Sequence, residues 1–441
     1  MDYMHYRIIA TGCILFLLLS FTLPQESFSS SDEKTVKIKV AVYGSTVKIF
    51  AEEVKQTIEY SWENNGTKYE IIPVIIGRND VIGKGKNALT NENFDVFIVP
   101  GISSPYFDAY DLRWRKSVKE FVENGGGYIG ICGGANLASM GFQEKLSPNT
   151  VLDLSVLKIA NVYVNDQQAQ EWQYLWKSNW EYGLPPIQVY ISEVKNPITE
   201  GFCGGYRNIR YGGGPGMYPA YEDNEKCGEV IPLAIYAEEP MEVAPLHYWK
   251  WNGRWEIAAN VTTDIKGQWA SIATTYGNGK VVLFGPHPEK KTFFGGHVEE
   301  FPVRANTRFT WFIYNWSDGI LSEESYNWWM LRRSVAWVTH HQIPPASKIA
   351  VFAEEPEDGM YINGRKIMEM KNTVIIGSAT VKARAIDGRE IAMYVDGELK
   401  DLIHGNSYSN MLSIGKGTHV IRIETWNNGE RAIRSFPVIG T

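Results

Sequence analysis

Several things are scarce in this chain of 441 residues, and each scarcity removes a class of function. Positive charge is one: the formal net charge is −7, the isoelectric point is near 5.7 and no basic tract occurs, so no nucleic-acid partner is expected. Long apolar runs are another. The single one, from Ile8 to Phe21, is too short to cross a bilayer, which takes about 20 residues. Arg7 precedes it, and Pro24 and the run Ser29-Ser30-Ser31 follow, so residues 1–30 have the flanks of a secretory signal. A secreted or extracytoplasmic protein is expected, with an uncleaved, surface-associated anchor as the alternative. Cys13 lies too early in the run to be a lipid-bearing mature terminus. Three N-x-[ST] sequons, at Asn65, Asn260 and Asn315, fit export without requiring it. No residue pattern calls for a metal or a cofactor.

Cysteine is also scarce. Removing Cys13 with the signal leaves Cys132, Cys203 and Cys227, an odd number. In an oxidising compartment Cys203 and Cys227 can close a disulfide worth roughly 3–4 kcal/mol, with Cys132 left over as a reactive thiol. The alternative is three inert thiols.

Cys132 stands in the most ordered stretch of the sequence, Gly125-Gly126-Gly127-Tyr128-Ile129-Gly130-Ile131-Cys132-Gly133-Gly134-Ala135-Asn136. Tyr128 to Ile131 reads as a buried strand and Ala135 to Met140 as the start of a helix, with the cysteine at the corner. Glycines on both sides allow the strained dihedrals and close strand–helix contact that such a corner needs.

Around it, Val36 to Tyr43, Tyr69 to Ile76 and Phe94 to Val99 read as strands, while Val47 to Tyr60 and Leu112 to Glu123 have helical spacing. This alternation predicts a doubly wound α/β sheet with helices on both faces and ligands at the carboxyl ends of its strands. Further on, Ile187 to Ile191, Val230 to Tyr236, Ile257 to Asn260 and Trp269 to Tyr276 read as strands. Gly277-Asn278-Gly279 turns the chain into another, Lys280 to Phe284. Arg304 to Trp316 and Ser325 to His340 have helical spacing. Trp172, Trp176 and Trp180 recur every fourth residue, as a core stripe or a stacking platform for a glycan. The first large domain runs over 36–340. After the linker Ile343-Pro344-Pro345-Ala346-Ser347 the pattern is purely β, with Asp387-Gly388, Asp396-Gly397 and Asn428-Gly429 as turns. An immunoglobulin-like sandwich is expected over 348–441, without a cluster of titratable groups but suited to glycan or cell-envelope contact. Composition implies no oligomeric state.

A cysteine nucleophile needs a base, and the base needs an orienting partner. Of eight histidines, His287 alone follows directly on a core strand, in Gly285-Pro286-His287-Pro288-Glu289. Pro288 holds His287 extended, so His287 and Glu289 face the same way. His297 with Glu299 repeats the spacing in a glycine-rich loop and ranks second; His340 and His341 fall by the linker. Backbone N–H groups of Gly133 and of Gly101 or Ile102 are placed to serve an oxyanion. Tyr211-Gly212-Gly213-Gly214-Pro215 is either a surface turn or a loop whose backbone approaches substrate, with Tyr211, Gly213 and Gly214 as its contacts.

These motifs, Gly130 to Gly134 with His287-Pro288-Glu289 after a strand, resemble the class I glutamine amidotransferase-like superfamily. The resemblance implies a Cys–His–Glu triad on a flavodoxin-like sheet. Phe121 to Ala135, Asn196-Pro197-Ile198, Tyr211 to Pro215 and Pro286 to Glu289 look most like the N-terminal domain family of biotin–protein ligases, over roughly residues 36 to 320. No ligase catalytic domain and no ammonia-consuming synthetase accompany them, so neither biotin attachment nor ammonia transfer is expected. The expectation is hydrolysis of a small-molecule amide or a peptide through a thioester on Cys132. An inactive extracellular binding protein and a cysteine peptidase are the alternatives.

Overall fold

The computed structural model describes residues 34–44, 48–101, 104–143, 153–165, 184–221, 224–305, 310–322, 326–346, 349–370, 372–427 and 430–441. The signal-like leader, Ile102 and the Trp172–Trp176–Trp180 stripe lie outside them.

The chain first builds a large mixed sheet. Strand β1 (Lys34–Tyr43) alternates at its start and is buried on both sides from Val40 to Tyr43. It lies between β3 (Thr67–Ile76) and β4 (Val96–Val99), parallel to both. All four residues of β4, Val-Phe-Ile-Val, are buried, as expected of a parallel strand covered above and below. The order continues through β5 (Gly127–Ile131) to β14 (Gly279–Phe284), still parallel. From there β13 (Trp269–Tyr276), β10 (Ile231–Tyr236), β7 (Pro186–Ile191) and β8 (Tyr206–Arg210) are antiparallel, and β2 (Ser61–Asn64) closes the other edge. Helices are few because antiparallel neighbours can be joined by short turns and need no crossover. Short strands β6 (Val162–Val164) and β9 (Met217–Pro219) extend the sheet beside β13.

Alternate residues of β1 feed two cores. Ile38, Val40 and Val42 pack with helices α1 (Ile49–Ile58) and α4 (Trp328–Val338), whereas Ala41 and Tyr43 pack with α2 (Leu112–Glu123) and α3 (Gly133–Ala138). α2 forms where the periodicity puts it. Asp111 caps it by accepting from the Arg113 N–H at 3.0 Å, and Trp114, Val118, Phe121 and Val122 form its buried face. Gly125, at φ +106°, ends it and lets the chain enter β5.

One helix expected from spacing is absent. Arg304 to Trp316 instead spans the end of β16 (His297–Ala305) and most of β17 (Thr310–Ser317), which pair antiparallel. A cross-strand partner outweighs local spacing there. Two smaller pairs flank the sheet: the hairpin β11 (His247–Trp251) with β12 (Trp255–Asn260), and β15 (Phe293–Phe294) with β18 (Ile320–Leu321).

The C-terminal region is all-β. A three-stranded sheet orders β19 (Ala350–Glu355), β23 (Ser378–Ile386) and β26 (Ser407–Ser413). The second has seven strands, with β24 (Glu390–Val395), β27 (Gly417–Asn427) and β28 (Glu430–Gly440) inside it. Both sheets bury residues in one core that includes Val351, Val381, Met393, Ile423 and Val438. Phe352 and Phe294, with ring centroids 4.6 Å apart, tie this region to the first through Tyr326.

Candidate active site

The end of β5 meets the end of β14, and the site is built there. Glycine spacing forms the corner. A side chain on Gly130 would come within 2.5 Å of the Gly134 carbonyl oxygen, and one on Gly134 would collide with the carbonyl of Val99 in β4. Only bare backbone lets α3 start so close to the sheet. The chain turns at Cys132 with φ 50° and ψ −106°, an uncommon and strained conformation for a non-glycine residue. The Cys132 N–H donates to Phe284 O at 2.7 Å, extending the β5–β14 ladder by one residue. Cys132 is half-buried, while His287 and Glu289 are 2% and 7% exposed.

The structure brings these three residues together. His287 Nδ1 lies 2.7 Å from Glu289 Oε1, and the His287 ring and Cys132 Cβ both border Gly101. Burial alone pushes His287 down, but the charges of Glu289 and Cys132, with the Glu289 hydrogen bond, outweigh it and raise the imidazole from 6.5 to about 9. Burial pushes Glu289 up, and His287 more than reverses this, so the carboxyl is held below its ordinary range. The pair therefore rests as imidazolium and carboxylate at neutral pH. Trp328 Nε1 donates to the Glu289 carbonyl at 3.1 Å, and Lys290 reaches Glu53 Oε2 of α1 at 2.7 Å, so both neighbours of the carboxylate are anchored. Glu289 Oε2 has no hydrogen-bond partner among the described residues.

The histidine is fixed from a second direction. Its N–H donates to Arg210 O at 2.9 Å, an isolated bridge to the end of β8. That bridge brings the Tyr211 to Pro215 loop over the site. A side chain on Gly212 would reach 2.7 Å from His287 Nε2, and one on Gly214 would reach 3.3 Å from Cys132 Sγ. Gly213 takes φ +80° between them. Tyr211 is fully buried and packs edge-on to Tyr236, whose hydroxyl donates to Pro215 O at 3.1 Å. Both phenols are pushed well above 10, first by burial.

Of the expected oxyanion donors, the Gly133 N–H lies in the first turn of α3 and has no acceptor within its helix. Gly101 follows β4 beside both reacting groups: a side chain there would stand 2.5 Å from His287 Cε1 and 2.9 Å from Cys132 Cβ. Gly212, within the glycine loop marked by the sequence, frames the site, as do Tyr236 and Arg210, which nothing in their sequence neighbourhoods marks. Asn196-Pro197-Ile198 is a turn in which Asn196 Oδ1 accepts from the Ile198 N–H at 2.9 Å.

The second-ranked histidine stands elsewhere in the fold. His297 begins β16 with its side chain 57% exposed, 3.8 Å from Glu299 and 3.7 Å from Asp318. The expected disulfide does not form either. Cys203 sits in the β7–β8 turn with Sγ 3.4 Å from Thr199 O, whereas Cys227 lies at the end of β13, bridged to Tyr276. No helix among the described residues is long and apolar enough to cross a membrane.

No curated protein matches the chain. Among solved structures, a ThuA-like protein from Bacteroides uniformis shares 16% identity at a TM-score of 0.30, over 57% of this chain and 84% of that one. The cold-adapted β-galactosidase from Rahnella sp. R3 shares 8% at 0.32, over 86% of this chain but 41% of its own. Fibronectin(III)-like modules of CbhA from Clostridium thermocellum share 14% at 0.16, over 21% of this chain and 95% of theirs. Likenesses this weak say nothing about chemistry. The sequence match is firmer: residues 86–302, which carry β4, Cys132, the Tyr211 to Pro215 loop and Glu289, match the family described as "Biotin-protein ligase, N terminal".

Proposed function

We propose that Cys132, His287 and Glu289 are the triad of a cysteine-dependent amide hydrolase built on a flavodoxin-like, class I glutamine amidotransferase-like sheet. The observation that carries this reading is the convergence of three groups far apart in the chain: Cys132 and the His287 ring meet at Gly101, and Nδ1 of that ring is held 2.7 Å from a buried carboxylate. The proton shared between sulfur and imidazole ends on the imidazole, and the sulfur attacks the amide carbonyl carbon. Backbone N–H groups at Gly133 and Gly101 face the oxygen that becomes negative. The C–N bond breaks, the imidazolium gives its proton to the departing amine, and a thioester remains. Water then attacks the thioester, giving a proton to the imidazole; the C–S bond breaks and the acid leaves. Glu289 orients the ring throughout and stabilises its charged form.

The Tyr211 to Pro215 backbone lies against both the imidazole and the sulfur, which favours a small amide over a polypeptide. We read residues 1–30 as a secretory signal and the C-terminal β region as an immunoglobulin-like module for glycan or envelope contact. Iodoacetamide labelling followed by peptide mass mapping tests the triad. Fast labelling of Cys132 at neutral pH, reduced at least tenfold in His287→Ala, is expected. Labelling at the rate of an ordinary exposed thiol in both proteins would leave only a binding scaffold. Turnover of short primary amides, absent in Cys132→Ala, tests the substrate class; cleavage of an unstructured polypeptide instead would identify a peptidase.

A further inference from the structure

We propose that the cavity where the first region meets the C-terminal β region binds a small oxyanion between Arg207, Arg332 and Arg431. The cavity has a volume of ≈ 260 Å³ and is walled by these three arginines together with Tyr326, Trp329 and Ile349; among the described residues no acidic side chain lines it. That volume is below the roughly 300–1,000 Å³ of pockets for drug-sized ligands, so it suits a small anion rather than a nucleotide.

Arg207 is the strongest indication. It is 7% exposed, its guanidinium lies 3.5 Å from the centre of the Tyr326 ring, and its hydrogen bonds go to neutral acceptors: Asn327 Oδ1 at 3.1 Å and Tyr326 O at 2.5 Å. Asp387 acts on it only without an ion pair, and burial dominates its surroundings, pushing the guanidinium down. Arg332 is alike. It stacks on Tyr60 at 4.2 Å and Trp328 at 5.0 Å, donates from Nε to Thr57 O at 2.9 Å, and forms no ion pair with a described carboxylate. Arg431 is half-exposed and shares Glu424 with Arg422. Buried charge is costly unless it is paired. Two guanidiniums without carboxylate partners among the described residues, at one cavity, are the forked donor geometry that carboxylate and phosphate groups accept.

This site is independent of the amide chemistry proposed above. Equilibrium dialysis of the full chain against inorganic phosphate at low salt tests it, with acetate as competitor. One saturable phosphate per chain is expected, weakened tenfold or more in Arg332→Met and in the half-exposed Arg431→Met. Circular dichroism and unchanged Cys132 labelling identify variants that remain folded. Displacement by acetate assigns a carboxylate-like ligand, and resistance to it a tetrahedral one; both support the site. Non-saturable binding, or equal affinity in folded variants, overturns it. So does a wild type that binds nothing while Glu323→Gln with Glu324→Gln gains a site, because the chain's own carboxylates would then fill the cavity.

Discussion

Replacing Glu289 by Gln removes one charge from the buried pair and keeps a hydrogen-bonding group beside His287 Nδ1. In the native protein the imidazole titrates at about 9 rather than 6.5. At about 1.4 kcal/mol per pH unit, that difference corresponds to about 3 kcal/mol of folding stability. The sign follows from the direction. A histidine raised above its unfolded value stabilises fully below pH 6.5, and the contribution is lost as pH rises through about 9. In Glu289→Gln the carboxylate charge is gone and burial is opposed by Cys132 alone, so the imidazole titrates lower and this dependence weakens. Urea unfolding of both proteins, followed by tryptophan fluorescence between pH 6 and 10, reads the effect as a difference curve. The wild-type advantage should shrink across that window, by at most about 3 kcal/mol. A constant offset from a poorly placed amide changes its height and not its slope. Parallel curves would refute the claim that the histidine rests as a cation.

Three further outcomes follow from the same geometry. Gly101→Ala should insert a methyl group against the His287 ring and Cys132 Cβ, cutting Cys132 labelling about a hundredfold by misplacing the pair by an ångström or so; an unchanged rate would mean that the two groups do not act together. Cys132→Gly should relieve the strain of φ 50° and raise the first region's stability by about 1–2 kcal/mol while abolishing turnover, and a loss of stability in denaturant would count against a strained corner. Ile423→Ala, in the core of the C-terminal region, should cost about 2–5 kcal/mol in that region's unfolding transition and leave the Cys132 labelling rate unaltered; a matching fall in labelling would show that the two regions stand or fall together.

The corner and the meeting of Cys132, His287 and Glu289 were legible because their constraints are local. Gly130 and Gly134 announce a backbone approach that no other residue permits, and Pro288 fixes the extended step that aligns His287 with Glu289. Fully apolar β4 and amphipathic α2 likewise carry their environments in their spacing. Signals that depend on distant partners were not legible. Arg304 to Trp316 has an apolar spacing compatible with a helix and becomes strand because β16 and β17 pair along their length. β25 (Glu398–His404) and β26 are largely polar and exposed, so they lack the alternation that marks a half-buried strand. Arg210 reaches the site through the β8 bridge and Tyr236 from the end of β10, pairings that no short-range rule foretells. The cysteine count suggested a bond because a count carries no information about which residues each thiol lies against; Cys203 meets Thr199 and Cys227 is bridged to Tyr276.

β8 is the outermost strand of the path, four places from β14, yet its last residue holds the backbone of His287. The sheet therefore curls back until its margin meets its middle. The imidazole carried beside the middle is steadied by the margin, so a disturbance at the rim, such as a lengthened β7–β8 turn or a protein docking there, should shift His287 against the sulfur without touching it. Sensitivity to events on the far flank is thus wired into the topology.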